Sequence, residues 1–530
     1  MTRIPARLTL WLAVAVGLVA QEVGYERILH AAREPGNWLT YSGTYAGHRY
    51  SPLTQINRTN VVRLKLAWMY QTNDLNQFEA TPLVADGVMY VSEPPSNAAA
   101  LDLKTGRPLW IFRRTPPSDV RVCCGQVNRG LGMLGRAVFL GTVDAHLLAL
   151  DSLTGHVLWD VTVADYKLGY SITVAPLVVK DKVVIGISGG EYGIRGFLDA
   201  YDAASGKRAW RFWTVPGPGE RGHESWTEDA WKTGSAATWV TGSYDPSLNL
   251  IYWGTGNPGP DYDGDVRPGD NLYANSLIAV DAATGALRWH YQFTPHDTHD
   301  WDANHVPVLI DAVYQGRARK LVIVANRNAF FYVLDRETGE FLDARAYARQ
   351  TWARGIDKQG RPIVLPGTEP KPEGTIVYPG LHGATNYGSP SYSPQTQMLY
   401  VAAREEGTLF YRATAEYQAG NYYSAGGMRG IAGVEPSGSI KALDGLTGEQ
   451  RWEFPLHSPP WAGVLSTAGG LVFGGTNEGN FFALDAATGK PLWDFQAGGP
   501  LQGNPISYQY MGQQYIAVTA GHALLAFCRQ

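Results

Sequence analysis

Cysteine is scarce, with three in 530 residues; so few cannot staple a chain of this size, which excludes a disulfide scaffold. Charge is sparse too. Charged residues make up 17%, below the roughly 25% usual for soluble chains, and leave few solvated helix faces. Basic charge is not in excess, since 44 Lys and Arg against 48 Asp and Glu give a formal net charge of −4. The electrostatic footprint of a nucleic-acid binder is therefore missing. No apolar run reaches the about 20 residues of a comfortable membrane span. The run that comes nearest, Leu8 to Ala20 (LTLWLAVAVGLVA), follows Arg3 and Arg7 and precedes Gln21 and Glu22. A basic start, a short apolar stretch and a small residue at its end predict a secretory signal peptide over residues 1–20. The mature chain is then expected to be soluble and periplasmic.

What the chain does have is glycine, 61 residues, and tryptophan, 17, the makings of tight turns and a large core. Length alone suggests three or four domains at about 150 residues each, but an internal repeat overrides it. One phrase recurs: ALDLKTGRPLW ending at Trp110, ALDSLTGHVLW at Trp159, AYDAASGKRAW at Trp210, AVDAATGALRW at Trp289, ALDGLTGEQRW at Trp452 and ALDAATGKPLW at Trp493. VLDRETGEFL carries Leu342 in the tryptophan slot, and NVVRLKLAW is a degenerate copy ending at Trp68. An apolar strand ends at Asp, Thr-Gly turns the chain with Gly at positive φ, and the next strand leads to Trp. Strand pairs such as TPLVADGVMYVSE precede most copies, so each unit is about four short strands with two apolar faces. Such units must stack, and radial closure satisfies them all. The expected fold is all-β: one domain over residues 21–530, an eight-bladed β-propeller in which Trp docks each blade on the next. Longer intervals after Trp210 and after Leu342 mark insertions, and loops on one face are where a site belongs.

Cys528 ends an apolar strand (ALLAFC) and reads as a buried side chain, whereas Cys123 and Cys124 are adjacent. In an oxidising compartment such a pair can close an eight-membered ring. The ring encloses almost no chain and adds little stability through loop closure, so chance and function are both open from the pair alone.

With its Ala-x-Asp-x-x-Thr-Gly-x-x-x-Trp phrasing, the chain resembles the quinoprotein alcohol dehydrogenases, which bind pyrroloquinoline quinone (PQQ) and a metal on the propeller axis. The resemblance spans essentially the whole mature chain and implies roles for the insertions. In RVCCGQVNRG, Cys123 and Cys124 match a vicinal disulfide on one face of the cofactor, and Arg129 matches an arginine that binds a cofactor carboxylate, work suited to its planar fork. Glu79 in QFEATPLV matches a glutamate that hydrogen-bonds the cofactor. In TVAPLVVKDKVVIGISGGEYGIRG, Thr173 and Ser188 match cofactor contacts, Gly189 and Gly190 allow close backbone approach, and Glu191 matches a metal ligand. Trp239 matches the tryptophan stacked on the other cofactor face, and Asn257 in GTGN the amide ligand. In TPHDTHDWDANHVPV, Asp300 matches a carboxylate that acts as catalytic base and touches the metal. Asp302 matches the extra aspartate of lanthanide-dependent members; calcium-dependent relatives carry a small uncharged residue there. A trivalent hard cation favours more anionic oxygen ligands, and on a strand residues i and i+2 would project to one side. Arg327 in ANRNAFFYVLDR matches a cation on the quinone oxygens, and Trp461 in PPWAGVLSTAGG a late tryptophan lining the cofactor.

Three positions depart from the family pattern: His299 where many relatives have an aromatic, Ala237 where some have a cofactor-binding threonine (leaving Thr238 as a substitute), and Arg404 where several have an uncharged amide. Other motifs fail on context. His296 and His299 have no partner cysteines for zinc, DYDGD at 261–265 lacks the glycine and acid positions of an EF-hand loop, and GPGERG at 217–222 has no strand-to-helix setting. No C-x-x-C-H is present for covalent haem. The resemblance implies oxidation of a small primary alcohol with PQQ and a lanthanide ion, or alternatively calcium, and transfer of electrons to a separate soluble cytochrome c. A non-catalytic propeller scaffold is the competing class. Oligomeric state, a homodimer included, stays open.

Overall fold

A computed structural model describes residues 22–530; the signal peptide expected over residues 1–20 lies outside them. Among the described residues the sole α-helix, Tyr25–Leu29, has five residues, and strands make up the body. Seven four-stranded sheets and one five-stranded sheet dominate. The first holds Leu83–Ala85, Val88–Glu93, Asn97–Asp102 and Pro108–Phe112 in that order. The next four begin at Gly132, Leu177, Ser243 and Val308. The sixth, from Ser391–Ser393 to Gln450–Leu456, is interrupted by the hairpin of Thr408–Arg412 and Gly426–Gly430, which pairs with Thr375–Val377 in a small sheet of its own. The seventh, from Leu465–Thr467 to Pro491–Gln496, gains Tyr50–Ser51 as a parallel edge. In the eighth, Leu64–Gln71 pairs antiparallel with Ala523–Arg529.

Burial follows from stacking. Ser276–Asp281, the third strand of its sheet, is buried at every position, because neighbouring sheets cover both faces. The outer strand Pro108–Phe112 exposes most of its residues but buries Trp110. The repeated phrase explains that exception. Asp102 Oδ1 accepts from the Thr105 amide at 2.9 Å and from its hydroxyl at 2.7 Å, which shapes the turn through an Asx-type bond. A bulge between Ala100 and Leu101 then skips one residue of the register and re-aims the tryptophan. The Trp110 indole N–H reaches the Ser152 carbonyl in the turn of the next sheet at 2.9 Å. The same bond joins Trp68 to Leu103, Trp159 to Ala203, Trp210 to Ala282, Trp289 to Arg336, Trp452 to Ala486 and Trp493 to Leu64. The glycine of the phrase serves this contact as well as its own φ: at Gly285 (φ +72°) a Cβ would come within 2.6 Å of the Trp210 ring. In the fifth sheet, where Leu342 replaces Trp, Gly448 of the next turn faces the Phe331 ring instead.

Candidate active site

Because the first two strands of each sheet are antiparallel, the segment entering the first and the segment leaving the second share one end. Entering segments carry Glu79, Arg129, Thr173, Trp239, Asp300, Asp302 and Trp461; leaving segments carry Ser188, Gly189, Gly190, Glu191, Asn257 and Arg327. All of them, with Cys123 and Cys124 from the link between the first two sheets, line one cavity of about 370 Å3. Ala237 joins them, but Thr238 does not. Its hydroxyl donates to the Phe197 carbonyl at 2.7 Å and accepts from the Ile187 amide at 2.9 Å, so it is spent on the sheet and cannot stand in for a cofactor ligand.

One side of the cavity is basic and rich in donors. Arg129 Nη1 donates to Thr173 Oγ1 at 2.7 Å, which in turn meets Ser188 Oγ at 2.7 Å. Arg129 Nη2 lies 2.9 Å from Glu79 Oε2, and the guanidinium sits between the Trp239 and Tyr387 rings, 4.7 and 4.8 Å from their centres. Burial raises the Glu79 carboxyl against the pull of Arg129.

The other side is acidic. Asp302 Oδ2 accepts from Arg327 Nη1 at 2.6 Å and Oδ1 from the Asn257 amide at 2.9 Å. Asn257 Nδ2 donates to Asp261 Oδ1 at 2.7 Å. Burial raises the Glu191 carboxyl to about 7, with Asp302 adding to it. Burial likewise pushes Asp300 well above the carboxylate range, with the Asp302 charge as the second cause. Asp302 itself is raised by burial despite Arg327. Four acids so close cannot all ionise without positive charge among them.

The convergence of Asp300 and Asp302 does not come from a strand. Residues 301–307 form no regular structure, and Asp300 has φ +58°, a left-handed conformation unusual for a non-glycine residue. Other groups hold the loop. Asp297 accepts from the His299 amide at 2.9 Å and the Trp301 amide at 2.7 Å, and Arg327 Nη2 donates to the Asp300 carbonyl at 2.8 Å. His299 stacks on Trp301 with ring centres 4.4 Å apart, and its Nε2 meets the Thr368 carbonyl at 2.8 Å.

Cys123 and Cys124 form a vicinal disulfide with Cα atoms 3.8 Å apart. Their sulfurs and a Glu191 oxygen lie within 4.8 Å of one another, which sets the disulfide beside the acidic side. Trp461 stacks on Tyr387 at 5.6 Å and 16°. Arg404 lies behind it, 4.1 Å from the ring centre, and Glu406 binds both Arg404 and His382.

Some residues of the site escape sequence reasoning. His382, Asn386 and Tyr387 line the cavity from LHGATNYGSP in the long insertion, where the nearness of His, Asn and Tyr was the available signal. Asp261 was legible only as the first residue of DYDGD, which fails as a calcium loop yet delivers a buried carboxylate to Asn257.

The residues fit a polar guest. Arg129 Nε and Arg327 Nε are buried without hydrogen-bond partners, rare for native interiors. Glu191, Asn257, Asp300 and Asp302 offer only hard oxygen donors, the set for a cation of the calcium or lanthanide type. Arg129, Thr173 and Ser188 suit an anionic, carboxylate-bearing cofactor. Fold and site together define an all-β propeller protein with a pocket suited to an anionic cofactor and a hard cation.

Comparison with known proteins carries this further. Residues 38–344 match the glucose/ethanol/alcohol dehydrogenase β-propeller domain that depends on PQQ, and residues 436–528 match the family described as outer membrane protein assembly factor BamB. The quinoprotein alcohol dehydrogenase PedH of Pseudomonas putida is 38% identical over 98% of this chain and 93% of its own. The lanthanide-dependent methanol dehydrogenase of Methylacidiphilum fumariolicum is 37% identical over 96% and 88%. The structure of a europium-containing methanol dehydrogenase superposes with a TM-score of 0.90 at 34% identity, covering 95% of this chain and 100% of that one. The chain belongs to the PQQ-dependent alcohol dehydrogenase family.

Proposed function

We propose that this chain oxidises a small primary alcohol to the aldehyde, with PQQ and a hard cation held in the cavity. The carrying observation is that oxygen ligands, carboxylate-binding donors, a tryptophan and a vicinal disulfide from distant parts of the chain line one cavity, of a size usual for small-molecule sites. The eight main sheets are taken as eight blades, with the recurrent indole bonds as the docking contacts between them.

When bound, PQQ supplies a two-electron acceptor and the cation a Lewis acid. The chain's residues do the rest. Glu191, Asn257, Asp300 and Asp302 hold the cation. Arg129, Glu79, Thr173 and Ser188 bind the polar edge of the cofactor, while Gly189 and Gly190 leave room for it. Trp239, the Cys123–Cys124 disulfide and Trp461, all lining the cavity, would exclude water from the bound cofactor. Asp300, ionised once the charge of the acidic cluster is compensated, accepts the hydroxyl proton of the alcohol. Arg327 stabilises negative charge that develops on the oxygens beside it. Asp302 supports the lanthanide reading, because it adds a carboxylate where a divalent ion needs fewer. The lack of a haem-attachment motif supports a separate soluble cytochrome c as acceptor. The basic and apolar N-terminus supports export to the periplasm; among the described residues no helix is long and apolar enough to cross a membrane.

The match of residues 436–528 to an assembly factor favours a second reading, a non-catalytic scaffold. Reconstitution with PQQ and either lanthanum or calcium, followed by alcohol-dependent dye reduction, separates the alternatives. The expected result is activity with lanthanum that Asp302→Ala abolishes. Activity with calcium alone that survives Asp302→Ala would remove the lanthanide assignment, and absence of PQQ binding would leave the scaffold.

A further inference from the structure

Asp261 is a carboxylate that none of the roles above uses. It is 3% exposed, and its Oδ1 accepts from Asn257 Nδ2 at 2.7 Å. That bond fixes the orientation of the Asn257 amide. With the nitrogen turned to Asp261, Asn257 Oδ1 is left facing the Gly190 backbone next to Glu191, 3.8 Å from where a Gly190 Cβ would stand. The Asn257 backbone amide is pinned as well, to Asp302 at 2.9 Å.

The segment bearing Asp261 is itself held firmly. Arg267, fully buried, donates to the Pro260 carbonyl at 3.0 Å, to the Asp297 carbonyl at 2.6 Å and to Asn271 Oδ1 at 2.8 Å. Its hydrogen bonds go to carbonyl oxygens. Among the described residues, no basic side chain hydrogen-bonds to the Asp261 carboxylate, on which the Glu191 charge acts. Four carboxylates, at Glu191, Asp261, Asp300 and Asp302, thus share the acidic side with Arg327, which is paired to Asp302 at 2.6 Å. Fully ionised, these four carboxylates outweigh the guanidinium charges of Arg327 and of Arg267, which also acts on Asp261, and so favour a highly charged cation.

We propose that Asp261 is a positioning residue for the metal site: it turns the Asn257 amide oxygen toward the cation and supplies the negative charge that tips the site from a divalent to a trivalent ion. This rests on the metal site proposed above. Partners of metal ligands typically change metal affinity by about 10–100-fold, and a charge difference acts more strongly on a trivalent ion than on a divalent one.

The test is calorimetric titration of the PQQ-loaded protein with LaCl3 and with CaCl2, alongside thermal melts that verify folding. Asp261→Asn keeps an oxygen for Asn257 Nδ2 but loses the charge. It is expected to weaken lanthanum binding about tenfold or more while calcium changes less, so that the ratio of the calcium to the lanthanum dissociation constant falls. Asp261→Glu keeps the charge on a longer arm, and is expected to weaken both ions while retaining a ratio near that of the parent protein. An unchanged ratio in Asp261→Asn, or an equal fall in Asp261→Glu, would overturn the proposal. Glu191→Ala marks the parent reading: if it leaves titration of the otherwise unaltered protein unaffected, the ions bind elsewhere and the metal site itself is misassigned.

Discussion

Replacing Glu406 by Gln probes how the wall behind Trp461 is held. Glu406 Oε1 meets His382 Nδ1 at 2.9 Å, and Oε2 accepts from Arg404 Nη2 at 2.9 Å. Arg404 covers the Trp461 ring, and His382 meets that ring edge-on with centres 5.1 Å apart. Burial alone would raise the Glu406 carboxyl; the His382 bond and the Arg404 charge outweigh it and bring it from an ordinary 4.5 down to about 2. Since one pH unit corresponds to about 1.4 kcal/mol, that interval amounts to about 3 kcal/mol as an upper figure at neutral pH. The side chain is 17% exposed, and solvent screening trims it only in part. The folded carboxyl is the stronger acid, so the stabilisation is full above pH 4.5 and is lost as pH falls toward 2. Glu406→Gln also leaves Arg404 as a buried charge without its partner, a change that is strongly destabilising in other proteins. Thermal melts followed by tryptophan fluorescence should show the variant several degrees below the parent protein at pH 7. That gap should narrow steadily below pH 4.5. A gap of constant size from pH 7 down to pH 3 would refute the electrostatic reasoning, and no gap at pH 7 would refute the pair's contribution altogether.

Arg129→Lys keeps the charge but cannot serve Thr173 and Glu79 together. PQQ affinity, read from quenching of tryptophan fluorescence, should fall about 10–100-fold, the loss of one or two charge-assisted bonds; unchanged affinity would count against Arg129 as the carboxylate clamp. Reducing the Cys123–Cys124 bond, which spans adjacent residues, should leave the thermal midpoint of the cofactor-free protein almost unmoved while weakening PQQ binding. A large drop in midpoint would show that the disulfide serves the fold instead.

The sheets were readable from sequence because their signal is local. The Asp, Thr and Gly that build each turn and the Trp that leaves it sit in one short phrase, and the bulge in the register repeats with them. The partner of that Trp was not readable, because it is a carbonyl in a turn contributed by another sheet. Residues lining the cavity were legible where a motif surrounds them, as at Cys123 and Asn257. The loop of Asp300 and Asp302 was not, because alternation of residue types cannot reveal that Asp297 and Arg327 bend it away from a strand. Asp261 was hidden for a related reason. It meets Asn257 through a side-chain hydrogen bond, and no spacing rule encodes that meeting. Tyr387 and His382 sit in an insertion that carries no copy of the phrase.

The pairing of Leu64–Gln71 with Ala523–Arg529 works as a clasp. During synthesis the first half emerges long before the second, so that strand waits with an open hydrogen-bonding edge, the kind of edge that invites wrong partners. Once fastened, it joins segments more than 450 residues apart, and loss of Ala523–Arg529 would strip Leu64–Gln71 of its partner. Contacts between such distant segments make for slow assembly. They also mean that the Leu64–Gln71 strand cannot leave its sheet without exposing the edge of Ala523–Arg529.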